Sequence, residues 1–215
     1  MKGYFCILIA LAGAGASGRA QGFANLDFEN PILPLVPVNF QVPTTNAMPG
    51  WTAYVGGIQG SQVVYNTRPL DAAEVTFQGT NSDSLAPIQG NYTVELFGAS
   101  MFAPQQSAAI GQTGQIPLNA RSLVFWGYST DVSFGGQALS LIVIGSTPNY
   151  NIYAADISAY AGETGQLLFT AQPQSLDIID NIQFSSSPVP EPSVLVFCTA
   201  GMALIGLCRW RVSKR

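Results

Sequence analysis

The sequence predicts an all-β fold, an antiparallel jelly-roll β-sandwich, and two observations carry that expectation. Polar and apolar residues alternate with a period of two through many short runs, and no helical periodicity separates them. Gly, Pro, Asn, Asp and Ser fill the gaps, so the connections read as turns. Strands joined by turns without intervening helices bury their apolar faces by pairing two antiparallel sheets. In chain order the runs are 52–55 after Pro49-Gly50-Trp51, 62–65 before an Asn-Thr-Arg-Pro turn, and 74–77 ahead of Gly79. They continue with 92–97, which alternates strictly and stops at Gly98, then 122–128, 139–144, 151–157, 167–170 and 176–184. The proline-rich stretch 31–49 is expected to be a long irregular loop after a first strand. Gly111, Gly114, Gly135 and Gly136 read as turn glycines, in no strand–loop–helix setting that would cradle a phosphate. There is no internal repeat.

Both ends are hydrophobic and stand apart from the fold. Residues 1–20 read as a signal peptide: Lys2 is the positive start, 4–14 is apolar, and small residues offer cleavage after Ala20 or Ala16. The run is too short and glycine-rich for a first membrane span. At the other end Pro190 and Pro192 hold the chain extended before an uncharged apolar stretch, 194–208. At about 1.5 Å per residue this helix falls somewhat short of a full hydrocarbon core. Arg209, Arg211, Lys214 and Arg215 follow, and by the positive-inside rule that basic end stays cytoplasmic. The body, 21–186, is thereby placed outside, between an N-terminal signal helix and a C-terminal transmembrane helix.

Composition excludes several function classes. Between the hydrophobic ends lie eleven acidic residues and only two basic ones, Arg68 and Arg121, an excess of nine acids. Such a surface releases no counterions from nucleic acid, so nucleic-acid binding is excluded. Cys6, Cys198 and Cys208 all sit in the hydrophobic ends, and there is no histidine. The body therefore has no disulfide, no thiolate nucleophile and no His-ligated zinc, and it lacks the usual acid/base residue of neutral pH.

The order of parts at the C-terminus resembles the PEP-CTERM sorting signal of Gram-negative bacteria: the Pro190-Glu191-Pro192 motif within 189–193, the short helix 194–208, and the basic tail 209–215. That resemblance covers 187–215. It implies an exosortase-type sorting protease as partner, a transient inner-membrane stage through the helix, and a final place in the envelope, outer surface or extracellular matrix. Proteins so tagged come from bacteria that secrete exopolysaccharide.

The body carries a second resemblance, to the galactose-binding-like jelly roll of many carbohydrate-binding modules. It rests on F-A-N-L-D-F-E-N-P at 23–31, Pro49-Gly50-Trp51, and S-L-D-I-I-D-N-I-Q-F at 175–184, with a looser match at 110–117. The resemblance implies first and last strands side by side with a structural calcium (Ca2+) between them. Glu29 and Asp180 would be its side-chain ligands, helped by Asp27, since calcium takes six to eight oxygens; the alternative is that these acids cap strand ends or meet solvent. Sugar rings stack on exposed aromatics, and Trp51, Tyr54, Tyr65, Trp126, Tyr128, Tyr150, Tyr153 and Tyr160 are available. Of these, Trp51 and Trp126 read as core, and Tyr150, Tyr153 and Tyr160 as the exposed group. The close carboxylate pairs are Asp71 with Glu74 and Asp177 with Asp180, and neither is distinguished from solvated acids, so no catalytic residue is assigned. The expected function is a non-catalytic surface or matrix protein that binds exopolysaccharide. Its rivals are an adhesive protein without sugar specificity and a cryptic glycan-active hydrolase.

Overall fold

The computed structural model describes residues 22–67, 72–83, 85–99, 104–128 and 130–189. The signal-peptide segment 1–20, the Pro190-Glu191-Pro192 motif, the 194–208 helix, Arg68 and Asp71 lie outside the described residues. Within those residues no helix is long and apolar enough to cross a membrane.

The described chain is an antiparallel β-sandwich. Its strands are β1 (Gln41–Pro43), β2 (Thr52–Val55), β3 (Ile58–Gly60), β4 (Gln62–Tyr65), β5 (Glu74–Gly79), β6 (Tyr92–Phe97) and β7 (Ala108–Gln115). There follow β8 (Ser122–Tyr128), β9 (Asp131–Phe134), β10 (Gln137–Ala138), β11 (Leu141–Ser146), β12 (Asn151–Asp156), β13 (Thr164–Ala171) and β14 (Leu176–Ser185). One sheet has the order β1-β4-β5-β6-β14-β8-β12-β11 and the other β10-β9-β13-β7-β2-β3. Only β4 and β5 pair in parallel; the remaining pairs are antiparallel.

The period-two pattern works as the alternation requires. Val75 and Phe77, Val94 and Leu96, Leu123 and Phe125, and Leu167 and Phe169 point inward and are buried together. Aromatic rings tie the layers: Phe125 meets Phe169 edge-on at 5.2 Å between ring centres, and Trp51 lies 5.4 Å from Phe28 and 6.2 Å from Phe169. Offset and edge-on rings contribute beyond the area they bury.

The opening segment departs from expectation. Residues 23–30 form no strand, because Asn25 and Phe28 adopt positive φ angles of 49° and 57° that break extended pairing. The segment is held instead by long-range bonds. Gln112 takes the Ala24 N–H at 2.6 Å and donates to its carbonyl at 3.0 Å, the Trp51 indole donates to the Asn25 carbonyl, and the Ile182 N–H donates to the Leu26 carbonyl. First segment and last strand are thus neighbours, as the resemblance implied, without a first strand.

Gly111 and Gly114 are not turn glycines. Both lie inside β7, a central strand whose sequence, AAIGQTGQ, has no alternation to reveal it. Each marks a close approach: the Phe23 ring lies over Gly114, and the Gln166 and Leu168 side chains lie over Gly111. Gly135 and Gly136 do form a turn, between β9 and β10, with φ of 56° and 81°.

Gly127 in β8 is a tighter approach than Gly111 or Gly114, since a β-carbon there would run into the backbone carbonyl of Ile178 on β14. Gly127→Ala is expected to lower the unfolding free energy by about 1–3 kcal/mol, measured by urea denaturation. A midpoint equal to wild type would show that β8 and β14 can separate freely.

Candidate functional site: an open sheet face that ends in an acidic pocket

The two outer faces of the sandwich differ. On the eight-stranded sheet, residues alternating with the core ones point outward, yet Thr76, Gln78, Thr93, Glu95 and Asp180 are buried. The 80–91 connection lies over them. Ser82 donates to the Gln78 side chain, Gln78 donates to Glu95 at 2.9 Å, and the Gln89 N–H donates to Asp180 at 3.0 Å. Further along this face Trp126 stacks on Tyr150 at 5.2 Å and 13°, beside a cavity of about 500 Å³ bounded by 85–88, 148–150 and Ile178.

The six-stranded sheet presents its outer face openly. Strand register sets Tyr54, Ala109, Thr170 and Asp131 in one row across β2, β7, β13 and β9. The adjacent row is Thr52, Gly111, Leu168 and Ser133. Three inter-strand spacings make each row about 14 Å long. The small side chain of Ala109 leaves a trough of about 330 Å³ lined by Tyr54, Gly57, Ser107, Ala109, Gln166, Leu168 and Thr170. Gln166 donates to the Tyr54 hydroxyl at 3.0 Å, which leaves that hydroxyl's own proton for another acceptor. Among the described residues no charged side chain lines the trough.

The row ends in an acidic pocket at one end of the sandwich. Thr170 lines the trough and also a cavity of about 270 Å³ with Thr130, Asp131, Tyr153, Gln172, Ser175 and Asp177. A second cavity of about 450 Å³, walled in part by Leu139, Leu141 and Ser133, shares Asp131, Thr170 and Gln172. Asp131 accepts from the Gln172 amide at 2.9 Å. Asp177 is 1 % exposed, and its Oδ1 has no hydrogen-bond partner. Burial pushes its carboxyl up to about 7, the Ser175 and Thr130 hydroxyls pull it down, and the like charge of Asp131 adds to the rise.

Of the residues expected to bind calcium, Glu29 and Asp180 stand close enough to repel each other, and both act as fasteners. Glu29 Oε1 accepts the N–H groups of Asn91 (2.7 Å) and Tyr92 (2.9 Å), and Oε2 accepts the Asn91 side-chain amide. Asp180 accepts the N–H groups of Gln89 and Asn181, and Asp27 accepts that of Glu29. Each of these partners is an N–H donor, whereas a calcium shell is made of oxygens. Among the described residues no three acidic, His or Cys side chains gather at one point. As placed, Glu29, Asp180 and Asp27 do not fit a calcium ion.

The carboxylate pairs also rearrange. Asp177 points inward with Ile179, and Asp180 points outward beneath the 80–91 connection, because three residues along a strand reverses the face. Glu74 accepts from the Thr76 hydroxyl at 2.8 Å, and burial lifts its carboxyl to about 7. Trp51 is core, as expected. Trp126 is not, since it alternates with Leu123 and Phe125 and faces out. Tyr153 and Tyr160 are half-buried, packed on Phe125 and Phe134. Asp131 and its pairing with Asp177 were not singled out from the sequence, where nothing local marks them, and Tyr54 stood there only as one of eight available aromatics.

No family model matches the chain, and no curated protein matches it. Among solved structures it is similar to the enzymatically active domain of tailspike protein 4 from bacteriophage CBA120, at TM-score 0.37 and 17 % identity, over 63 % of this chain and 19 % of that one. It is also similar to TmCBM61, solved in complex with β-1,4-galactotriose, at TM-score 0.41 and 14 % identity, over 77 % of this chain and 98 % of that one. The chain thus spans about a fifth of the length of the tailspike chain it matches.

Two measurements test this electrostatic arrangement. Burial is the main cause that raises Glu74, Asp177 and Asp180 to about 7, so the folded state binds more protons than the unfolded one. That stabilisation is complete below the ordinary carboxylate range and is lost as pH rises through about 7. The Tm is therefore expected to be about 5 °C or more lower at pH 8 than at pH 5, and a flat profile by calorimetry would contradict the burial of these acids. Glu29→Ala, which releases three donors, is expected to cost about 2 kcal/mol, while EDTA leaves the Tm unchanged. A fall in Tm on chelation would return calcium to this place.

Proposed function

We propose that this chain is an exported, non-catalytic surface or matrix protein whose sandwich binds a polysaccharide along the outer face of the six-stranded sheet. The observation that carries the reading is the uncharged trough around Tyr54 and Gln166. Polysaccharides offer hydroxyls on both ring faces and patches of C–H, and they are held by an aromatic ring, amides and hydroxyls over an apolar floor. Tyr54, Gln166, Ser107 and Thr170 supply those groups, and Ala109 and Leu168 the floor. The trough is open to solvent along the sheet face, so a polysaccharide chain can reach it.

Export and sorting follow in this reading from the signal peptide at 1–20 and the PEP-CTERM-like end at 187–215. An exosortase-type protease would act near Pro190-Glu191-Pro192 while the 194–208 helix holds the chain in the inner membrane. The body would then pass to the envelope, outer surface or matrix, where exopolysaccharide is the ligand at hand. One observation favours a second reading, a glycan-active hydrolase: Asp131 and Asp177 stand in one pocket, as paired carboxylates do in glycosidases. Binding is preferred because the trough itself carries no carboxylate until its end.

In affinity electrophoresis through gels containing the producing bacterium's own exopolysaccharide, wild type is expected to be retarded. Tyr54→Ala should weaken the affinity at least about tenfold, a loss of about 1.4 kcal/mol. Equal mobility of variant and wild type would remove the trough from the reading, and no retardation at all would favour the adhesive alternative. Release of reducing ends, abolished in Asp177→Asn, would favour the hydrolase. A mature protein whose mass includes Arg215 would argue against sorting.

A further inference from the structure

The neutral trough does not account for the pocket at its end. Asp177 carries a buried oxygen with no hydrogen-bond partner, and that oxygen belongs to a side chain lining a cavity of about 270 Å³. Asp131 stands in the same wall and repels it. Among the described residues no Lys or Arg lines this cavity or the adjoining one. The one basic residue among them, Arg121, precedes β8 and faces the charge of Asp156. It lies at the far end of a strand about 20 Å long from Tyr128, which pairs with Ile178 beside Asp177. Two acids therefore share a recess without a compensating cation, and one of them is desolvated.

We propose that this recess receives a free ammonium group of the bound glycan, that of a 2-amino-2-deoxy sugar, while the rest of the chain lies in the trough. The proposal rests on the glycan-binding reading above. An ammonium carries three donors and one positive charge. One donor would satisfy Asp177 Oδ1, another would meet Asp131, and the third would meet the hydroxyl of Ser175 or Thr130. Charge-assisted bonds of this kind are about twice as strong as neutral ones. A neutral hydroxyl or an N-acetyl amide supplies a single donor and leaves the acid pair uncompensated. A bare divalent ion fits less well: among the described residues no third acidic side chain joins the pair, well short of six to eight oxygens, and the recess is much wider than an ion.

The test is isothermal titration of the exported protein at pH 7 and physiological salt with three oligosaccharides of equal length: fully deacetylated glucosamine, its N-acetylated form, and a neutral galactan. The deacetylated oligomer is expected to bind at least about tenfold tighter than the others, about 1.4 kcal/mol. Asp177→Asn and Asp131→Asn should each erase that preference, while the exposed Asp156→Asn keeps it, which separates the pocket from general attraction to an acidic surface. Asp177→Asn has nearly the same shape and removes a desolvated charge, so its Tm at pH 8 should equal or exceed that of wild type. Equal binding of all three sugars, weakened by Tyr54→Ala, would overturn the ammonium site and leave the trough intact. A preference that survives in Asp177→Asn would overturn it too, as would a calcium-induced rise in Tm that Asp177→Asn abolishes. Binding of none of the three would overturn both readings.

Discussion

A buried carboxylate in this domain cannot turn to a neighbouring lysine or arginine, because the body has almost none. It must be met by N–H and O–H donors, or it must hold its proton. That constraint organises much of the structure. Buried Asp180 and the half-buried Glu29 beside it are met by donors: five N–H groups, four of them backbone or side-chain groups of 89–92, converge on the two carboxylates. The return of the chain from the 80–91 connection into β6 is fixed by these bonds. Gly90 is part of the same arrangement, with φ of 61° and no room for a side chain beside the Glu29 carboxylate.

The consequence reaches across the molecule. Once the 80–91 connection is fastened, the middle of the eight-stranded sheet is closed on its outer side, and Thr76, Gln78, Thr93 and Glu95 become an interior polar layer. Such a layer is stable only when its groups satisfy one another. Among the described residues the six-stranded sheet has no such cover, and its outer face keeps Tyr54, Gln166 and Thr170 accessible beside Ala109. One face is closed by loop anchorage and the other is left for a ligand. The raised carboxyls of Glu74, Asp177 and Asp180 share a cause, burial, but differ in setting. Two lie on the outward-pointing side of the eight-stranded sheet; Asp177 opens into a pocket.

Strand positions were legible wherever strands alternate or concentrate apolar residues. The runs at 52–55, 62–65, 92–97 and 122–128 coincide with β2, β4, β6 and β8. β7 was hidden because a central strand built from Ala, Gly and Gln has no hydrophobic period to detect, and its glycines resemble turn signals. The opening segment misled in the opposite direction: its apolar residues fit a strand, but positive φ at Asn25 and Phe28 turns it into a clasp. Trp126 was misplaced because an apolar run suggests burial on both faces, whereas β8 alternates and sends Trp126 outward to Tyr150.

The sequence by itself determined the class of fold, the absence of cysteine and histidine chemistry from the body, and an acid excess with no basic partner. These follow from composition and from periodicities a few residues long. Only the tertiary structure decided which acids meet. Asp177 and Asp180, three residues apart, part to opposite sides of their sheet, while Asp131 and Asp177, forty-six residues apart, share a pocket. Only it decided, too, that Tyr54 and Asp131 stand in one row across four strands. The reason is that strand pairing brings distant residues into register, and register is set by the packing of whole sheets, which no local pattern encodes.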